Sequence, residues 1–284
     1  MIVVTGATGR LGRLVVRGLL DKVPAEQIAV AVRSPEKAAD FAARGVQVRT
    51  ADYDRPETLN TALAGADKLL LVSGSEVGRR VPQHKAVVQA ARQAGVGLLA
   101  YTGVLGGDAA GFRLADEHKA TEAAIRASGI PFVFLRNGWY TENYTDTLGT
   151  TLEHGALVGS SGDGRVASAT RQDYAEAAVA VLSTEGHENH VYELSGDTAW
   201  SFSEFAAEVS AQSGKPVAYQ DVTAEQQLGI LLEAGLPQSF AEILVDVDAG
   251  ISRGELAITT GDLSRLIGRP TTPLADAVKS ALAV

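Results

Sequence analysis

Short apolar runs alternate with amphipathic stretches through the first half of the chain. Ile2–Thr5 is a β-branched run, followed by a glycine-rich turn and the stretch Leu11–Lys22, where Leu11, Val15 and Leu19 recur at helical spacing. Further strand-like runs are Ile28–Arg33, Val46–Ala51, Lys68–Ser73, Gly97–Thr102 and Phe132–Arg136. Between them lie helical patterns at Pro35–Arg44, closed by Gly45, at Pro56–Leu63, at Val81–Ala94, closed by Gly95, and at Asp116–Ser128. Strict strand–helix alternation predicts right-handed crossovers and a parallel sheet.

Beyond Asn137 the pattern loosens into loop-like sequence up to about Gly164. A helix over Asp173–Leu182 and a strand at His190–Leu194 follow, then helical patterns at Ser203–Ser213, Ala224–Ala234, Gln238–Val247 and Pro273–Leu282. The predicted architecture is α/β: a Rossmann-type doubly wound parallel sheet (residues 1–136 plus 173–195) with a smaller, mainly helical C-terminal lobe (residues 137–172 plus 196–284).

Among 284 residues, 45% are hydrophobic, enough for a sizeable core. Lys plus Arg number 25 against 34 Asp plus Glu, a net charge of −9, which argues against nucleic acid as a partner. The absence of cysteine excludes disulfides, thiolate catalysis and Cys-ligated metals and fits a cytoplasmic protein. With a strand pattern from Ile2 and no charged region or cleavage site before it, no signal peptide is expected, and no apolar run approaches a membrane span. The five histidines form no metal-binding spacing, and no G-x-S-x-G elbow supports a hydrolase.

The strongest chemical signal is Gly6-Ala7-Thr8-Gly9-Arg10-Leu11-Gly12, placed between a strand and a helix. The first glycine permits the tight turn, the second lets backbone approach a pyrophosphate, and the third lets helix and sheet pack closely. The helix N-terminus adds unpaired N–H groups and a positive dipole end. This is a dinucleotide turn; the Lys-Ser/Thr ending of a triphosphate loop is missing. At the end of the second strand, where NAD enzymes place an acid, stands Arg33. A guanidinium there favours the 2′-phosphate of NADPH, with Lys37 nearby. Other strand ends supply Asp52, Ser73, Gly74, Ser75, Tyr101, Thr102, Asn137, Gly138 and Trp139 as candidate cofactor contacts.

At these residues the chain resembles the NmrA-like branch of the atypical short-chain dehydrogenases, and most closely bacterial NADPH-dependent quinone oxidoreductases of the second type. The resemblance runs through Thr5–Gly12, Arg33-Ser34-Pro35, Ala51-Asp52-Tyr53, Ser75–Gly78, Leu114–His118, Leu135–Tyr140, Glu142–Tyr144, Gly162–Gly164, Ala167–Arg171, Tyr192–Leu194 and Gly268–Thr272, nearly the whole length. It implies NADPH binding by Gly6–Leu11, Arg33 and Ser73–Ser75, with Asn137–Glu142 along the nicotinamide and Ala167–Arg171 returning to the cofactor or pocket wall. It also implies two-electron reduction of a quinone without a flavin. Alternatives are a non-catalytic NADP(H)-sensing regulator of the NmrA-like type, or a reductase of another acceptor such as a triphenylmethane dye.

Ordinary short-chain dehydrogenases carry a Tyr with a Lys four residues on; here the corresponding positions hold Ala115 and Lys119. An alcohol needs its proton removed as hydride leaves, whereas a quinone is electrophilic and its product takes a proton from water. The missing phenol therefore favours an acceptor of the quinone kind. Trp139, Tyr140, Asn143 and Tyr144 are the expected substrate wall, although the aromatic residues equally suit core packing. Asn143, Tyr140 and Lys119 are the candidate donors to the acceptor oxygen. The expected state is a monomer or homodimer away from membranes.

Overall fold

In the computed structural model, which describes residues 1–283, the central sheet contains β1 (Ile2–Thr5), β2 (Ile28–Val32), β3 (Gln47–Thr50), β4 (Lys68–Leu71), β5 (Leu98–Val104), β6 (Phe132–Asn137) and β9 (His190–Leu194). The order is β3-β2-β1-β4-β5-β6-β9, and every pairing is parallel. The order reverses between β1 and β4, which opens a crevice above their C-terminal ends.

The helices are α1 (Arg10–Leu20), α2 (Ala39–Ala42), α3 (Pro56–Ala62), α4 (Arg80–Ala94), α5 (Leu114–Ser128), α6 (Glu142–Thr145), α7 (Leu148–His154), α8 (Arg171–Ser183), α9 (Phe202–Ser213), α10 (Ala224–Glu233), α11 (Gln238–Ser252), α12 (Asp262–Ile267) and α13 (Leu274–Leu282). Because strand side chains alternate between faces, β1 and β2 divide their residues between two cores. Val4, Val30 and Val32 pack with α1 and α8; Val3, Ala29 and Ala31 pack with α3, α4 and α5. Burial on both faces explains why these strands read as continuous apolar runs. No described helix is long and apolar enough to cross a membrane.

A third core joins Phe112, just before α5, to Trp200, Phe202, Phe205, Val247 and Ile251 of the C-terminal part. The stretch read as loop before Gly164 instead holds α6, α7 and β7 (Ala156–Gly159), with β8 (Arg165–Val166) just after it. β7 pairs in parallel with β11 (Ala218–Asp221), and β8 pairs antiparallel with β10 (Trp200–Ser201). Such short strands carry little periodic signal, and their partners lie far along the chain. The lobe is thus helical with two two-stranded sheets. One segment assigned to it departs: α12 places Leu263 in the core shared by α1 and α8. Pro35–Arg44 is a 3-10 turn over Pro35–Ala38 followed only by the short α2. α11 runs on to Ser252, past the expected end at Val247.

Candidate functional site

Two cavities adjoin above the strand tips. The first, of about 520 Å³, is lined by Gly6, Thr8, Gly9, Arg10, Leu11 and Gly12 of the turn, and by Arg33, Lys37, Ser73, Gly74, Ser75 and Thr102. Gly6 sits at φ +59°, in the left-handed region. A Cβ on Gly12 would lie 2.3 Å from the Gly6 carbonyl oxygen, so a side chain there would force α1 off the turn. The N-terminus of α1 has no side-chain cap and no acid in its first turn. Its first-turn N–H groups and positive end are thereby left for an anion, as a pyrophosphate requires. The residues present fit a dinucleotide.

The second cavity, of about 900 Å³, is walled by Trp139, Asn143 and Tyr144, by Arg171, and by apolar residues of α10 and α11. The two share one wall: Arg10, Ser75 and Arg80 line both. Arg10 and Arg171 both pair with Asp146, Arg171 at 3.2 Å.

Arg80 is held by a hydrogen bond from its Nε–H to the Gly74 carbonyl, 2.6 Å. Its Nη1 lies 3.9 Å from Glu117 Oε2. The residue is 9% exposed, and Nη1 has no hydrogen-bond partner. The buried side-chain polar atoms without a partner among the described residues are Tyr53 Oη, Arg80 Nη1, Glu117 Oε2, Asn137 Oδ1 and Trp139 Nε1. Three of these residues line the cavities, Tyr53 and Arg80 the first and Trp139 and Arg80 the second.

The Gly74 loop is fixed from behind as well. Gly74 N–H donates to His84 Nε2 at 3.0 Å, and His84 Nδ1 lies 2.9 Å from Thr121 Oγ1, whose hydroxyl donates to the Glu117 carbonyl. Those roles require neutral His84 with its proton on Nδ1. Burial, aided by the Arg80 charge, pulls its pKa down to about 4. His118 beside it is pulled down to about 3, chiefly by burial. Both histidines serve the scaffold.

Several expected contacts lie elsewhere. Tyr101 alternates with Thr102 along β5, so its ring packs on the far face, fully buried, with its hydroxyl 2.7 Å from His118 Nδ1. Thr102 does reach the cleft, its Oγ1 accepting from Ser73 N–H at 2.9 Å. Asp52 closes a turn by accepting from Asp54 N–H at 3.1 Å, and its neighbours Ala51 and Tyr53 line the cleft instead. Lys119 lies in neither cavity: its Nζ donates to the Ala110 carbonyl at 2.7 Å. Ala7 is buried under the turn. Asn137 and Gly138 back the site without lining it. Asn137 Nδ2 donates to the Tyr140 hydroxyl oxygen at 3.2 Å, and Gly138 N–H donates to the Leu194 carbonyl at 2.7 Å.

Tyr140 faces the first cavity and Trp139 the second, so the consecutive aromatics flank the boundary from two sides. Tyr140 stands edge-on to Tyr174 with Arg171 over its ring, and burial pushes its phenol pKa up. Tyr144 both lines the second cavity and packs edge-on against Trp200 and Phe202. Asn143 Oδ1 accepts from Arg171 at 3.4 Å. Arg80 had no sequence signal, since Arg79-Arg80 at the start of a helix reads as a solvated face.

A family model described as NAD(P)H-binding matches residues 6–185. Quinone oxidoreductase 2 of Escherichia coli (strain K12) is 50% identical over 278 residues, covering 98% of this chain and 97% of that protein. The crystal structure of the NADPH-dependent quinone oxidoreductase from Escherichia coli complexed with NADPH superposes with a TM-score of 0.97, at 50% identity, over 99% of this chain and 100% of that one. The triphenylmethane reductase of Citrobacter sp. complexed with NADP(H) is similar as well, at 46% identity and a TM-score of 0.95, over 99% and 100% of the two chains.

Proposed function

This chain belongs to the NAD(P)H-binding family, and from that premise we propose that it is an NADPH-dependent quinone oxidoreductase carrying out a direct two-electron reduction. The observation that carries the reading is the shared wall of Arg10, Ser75 and Arg80, which sets a second cavity directly against the dinucleotide cleft. The similarity to an NADPH-dependent quinone oxidoreductase supports it over nearly the full length.

When bound, the reduced nicotinamide supplies a hydride equivalent. The chain's part is to bind, orient and exclude water. The Gly6–Gly12 turn and the end of α1 hold the phosphates, while Arg33 and Lys37 supply positive charge for a 2′-phosphate. Ser73, Gly74 and Thr102 give the ribose–nicotinamide side a close floor of small residues.

As the acceptor is reduced, negative charge grows on its oxygen, and a fixed donor there lowers the barrier. Arg80 takes this part: its cationic side chain stands at the wall shared by the two cavities. Its guanidinium stabilises the charge without giving up a proton, and water protonates the product. Asn143, Arg171 and Trp139 orient the acceptor from the second cavity, and Tyr140 holds the nicotinamide side. Lys119 lines neither cavity and is tied to the Ala110 carbonyl, so it takes no part in this role.

The test is absorbance at ~340 nm, where NADPH but not NADP absorbs, with and without a simple benzoquinone. NADH runs in parallel and the uncatalysed rate is subtracted. Rapid, NADPH-selective oxidation is the expected outcome. Tight NADPH binding without turnover across several quinones would favour a sensor instead. The likeness to the Citrobacter dye reductase and the size of the second cavity favour a second acceptor class, tested by triphenylmethane dye decolourisation in the same assay.

A further inference from the structure

The second cavity has two unlike walls. Against the coenzyme cleft it presents Arg10, Ser75 and Arg80. Under α10 and α11 it presents Leu231, Leu236, Phe240, Ile243, Leu244 and Val247. Gln227 and Asp248 also face it and are tied to each other within the wall: Gln227 Nε2 donates to Asp248 Oδ2 at 2.7 Å, and the Ser160 hydroxyl donates to Gln227 Oε1 at 2.6 Å.

The apolar wall reaches the surface at Phe240, which lines the cavity and is 49% exposed. A volume of about 900 Å³ stands at the upper end of small-molecule sites, and a one-ring quinone fills only a fraction of it. A molecule matching both walls has a polar, electrophilic head and a hydrocarbon tail.

We propose that this cavity takes quinones bearing an isoprenoid or alkyl tail, with the ring at the Arg10–Ser75–Arg80 wall and the tail along α10 and α11 toward Phe240. The identity of the head group rests on the reductase reading above; the tail site stands on the apolar wall and rim. Each methylene moved fully from water onto such a wall improves binding about fourfold.

The test uses a dimethoxymethyl-benzoquinone without a tail and its analogues with one and two isoprene units. Binding is read without coenzyme, as quenching of fluorescence from Trp139, which lines the cavity. KM and kcat are read separately by NADPH oxidation. The expected result is a fall in Kd and KM of about tenfold per isoprene unit, with kcat steady within about threefold. In Phe240→Ser and in Leu236→Ser, the ratio of tailless to tailed Kd falls at least about threefold. A Kd indifferent to tail length, or a gain untouched by both substitutions, would overturn the proposal. If tailed quinones bind tightly but no quinone oxidises NADPH, the reductase reading fails and the tail site stands; turnover of every quinone at one common Kd gives the reverse.

Discussion

Arg33 Nη1 lies 3.0 Å from Glu76 Oε1, pairing the cation at the tip of β2 with an acid from the loop between β4 and α4, both at the coenzyme cleft. The pair is open to solvent, with side chains 66% and 33% exposed, and such pairs contribute little. A 2′-phosphate offers the guanidinium a more highly charged, bidentate partner and can displace the carboxylate. Arg33→Gln is expected to raise KM for NADPH about ten- to a hundredfold while moving KM for NADH less than about threefold. Glu76→Gln, which frees the cation, lowers KM for NADPH by about two- to fivefold. Equal effects on the two coenzymes would take Arg33 away from the phosphate.

Arg80→Met is expected to lower kcat with benzoquinone by about a hundredfold, the usual cost of losing a donor to developing charge. NADPH affinity, read by fluorescence titration, shifts by only a few fold through loss of the Gly74 contact. Added guanidinium ion restores part of kcat in Arg80→Met, an effect that a purely structural role for Arg80 does not produce.

The Arg136 guanidinium meets Glu122 at two points, Nε to Oε1 at 2.8 Å and Nη2 to Oε2 at 2.6 Å, and reaches Glu193 Oε1 at 2.7 Å. The Glu122 hydrogen bonds hold the guanidinium pKa well above its ordinary value. Glu122 is buried, so Glu122→Ala leaves Arg136 with one acid and a void and costs about 3–5 kcal/mol. The readout is a lower urea midpoint at unchanged slope. A loss below about 1 kcal/mol would show that Glu193 alone satisfies the cation.

Acid stability depends on the two buried histidines. His84 and His118 have folded-state pKa values pulled down to about 4 and about 3, chiefly by burial. Unfolded histidine titrates near ~6.5, so below that pH the unfolded chain binds more protons than the native one. Stability therefore falls as pH drops from about 6.5 toward 4, by about 1.4 kcal/mol per unit for each histidine, and this contribution is fully present above 6.5. Protonated His84 also cannot accept from Gly74 N–H, so NADPH affinity weakens toward pH 4. His84→Gln, measured by denaturation across this range, flattens the acid limb; an unchanged slope would mean that His84 titrates normally in the folded chain.

Strand β1, the turn at Gly6–Gly12 and helix α1 were legible because each is a local pattern: an apolar run, glycines where backbone must bend or approach, and a four-residue apolar repeat. Arg33 was legible for the same reason, since the tip of β2 lies at a fixed distance from that turn. Tyr101 stands near a strand end yet points away from the cleft, because the pleat sends Tyr101 and Thr102 to opposite sides. Arg80 carries no local signal, because a charge on a helix looks the same in sequence whether water or a cavity lies beyond it.

The amino-acid sequence by itself determined the alternating α/β core, the glycine turn and the cation at the tip of β2, all set by periodicity and backbone chemistry within a few residues. Only the tertiary structure decided which buried faces meet. β7 finds β11, and α11 brings Phe240 and Val247 into the same cavity as Trp139 and Arg171. Those contacts depend on shape matching between segments far apart in the chain, which local hydrophobic patterns do not encode.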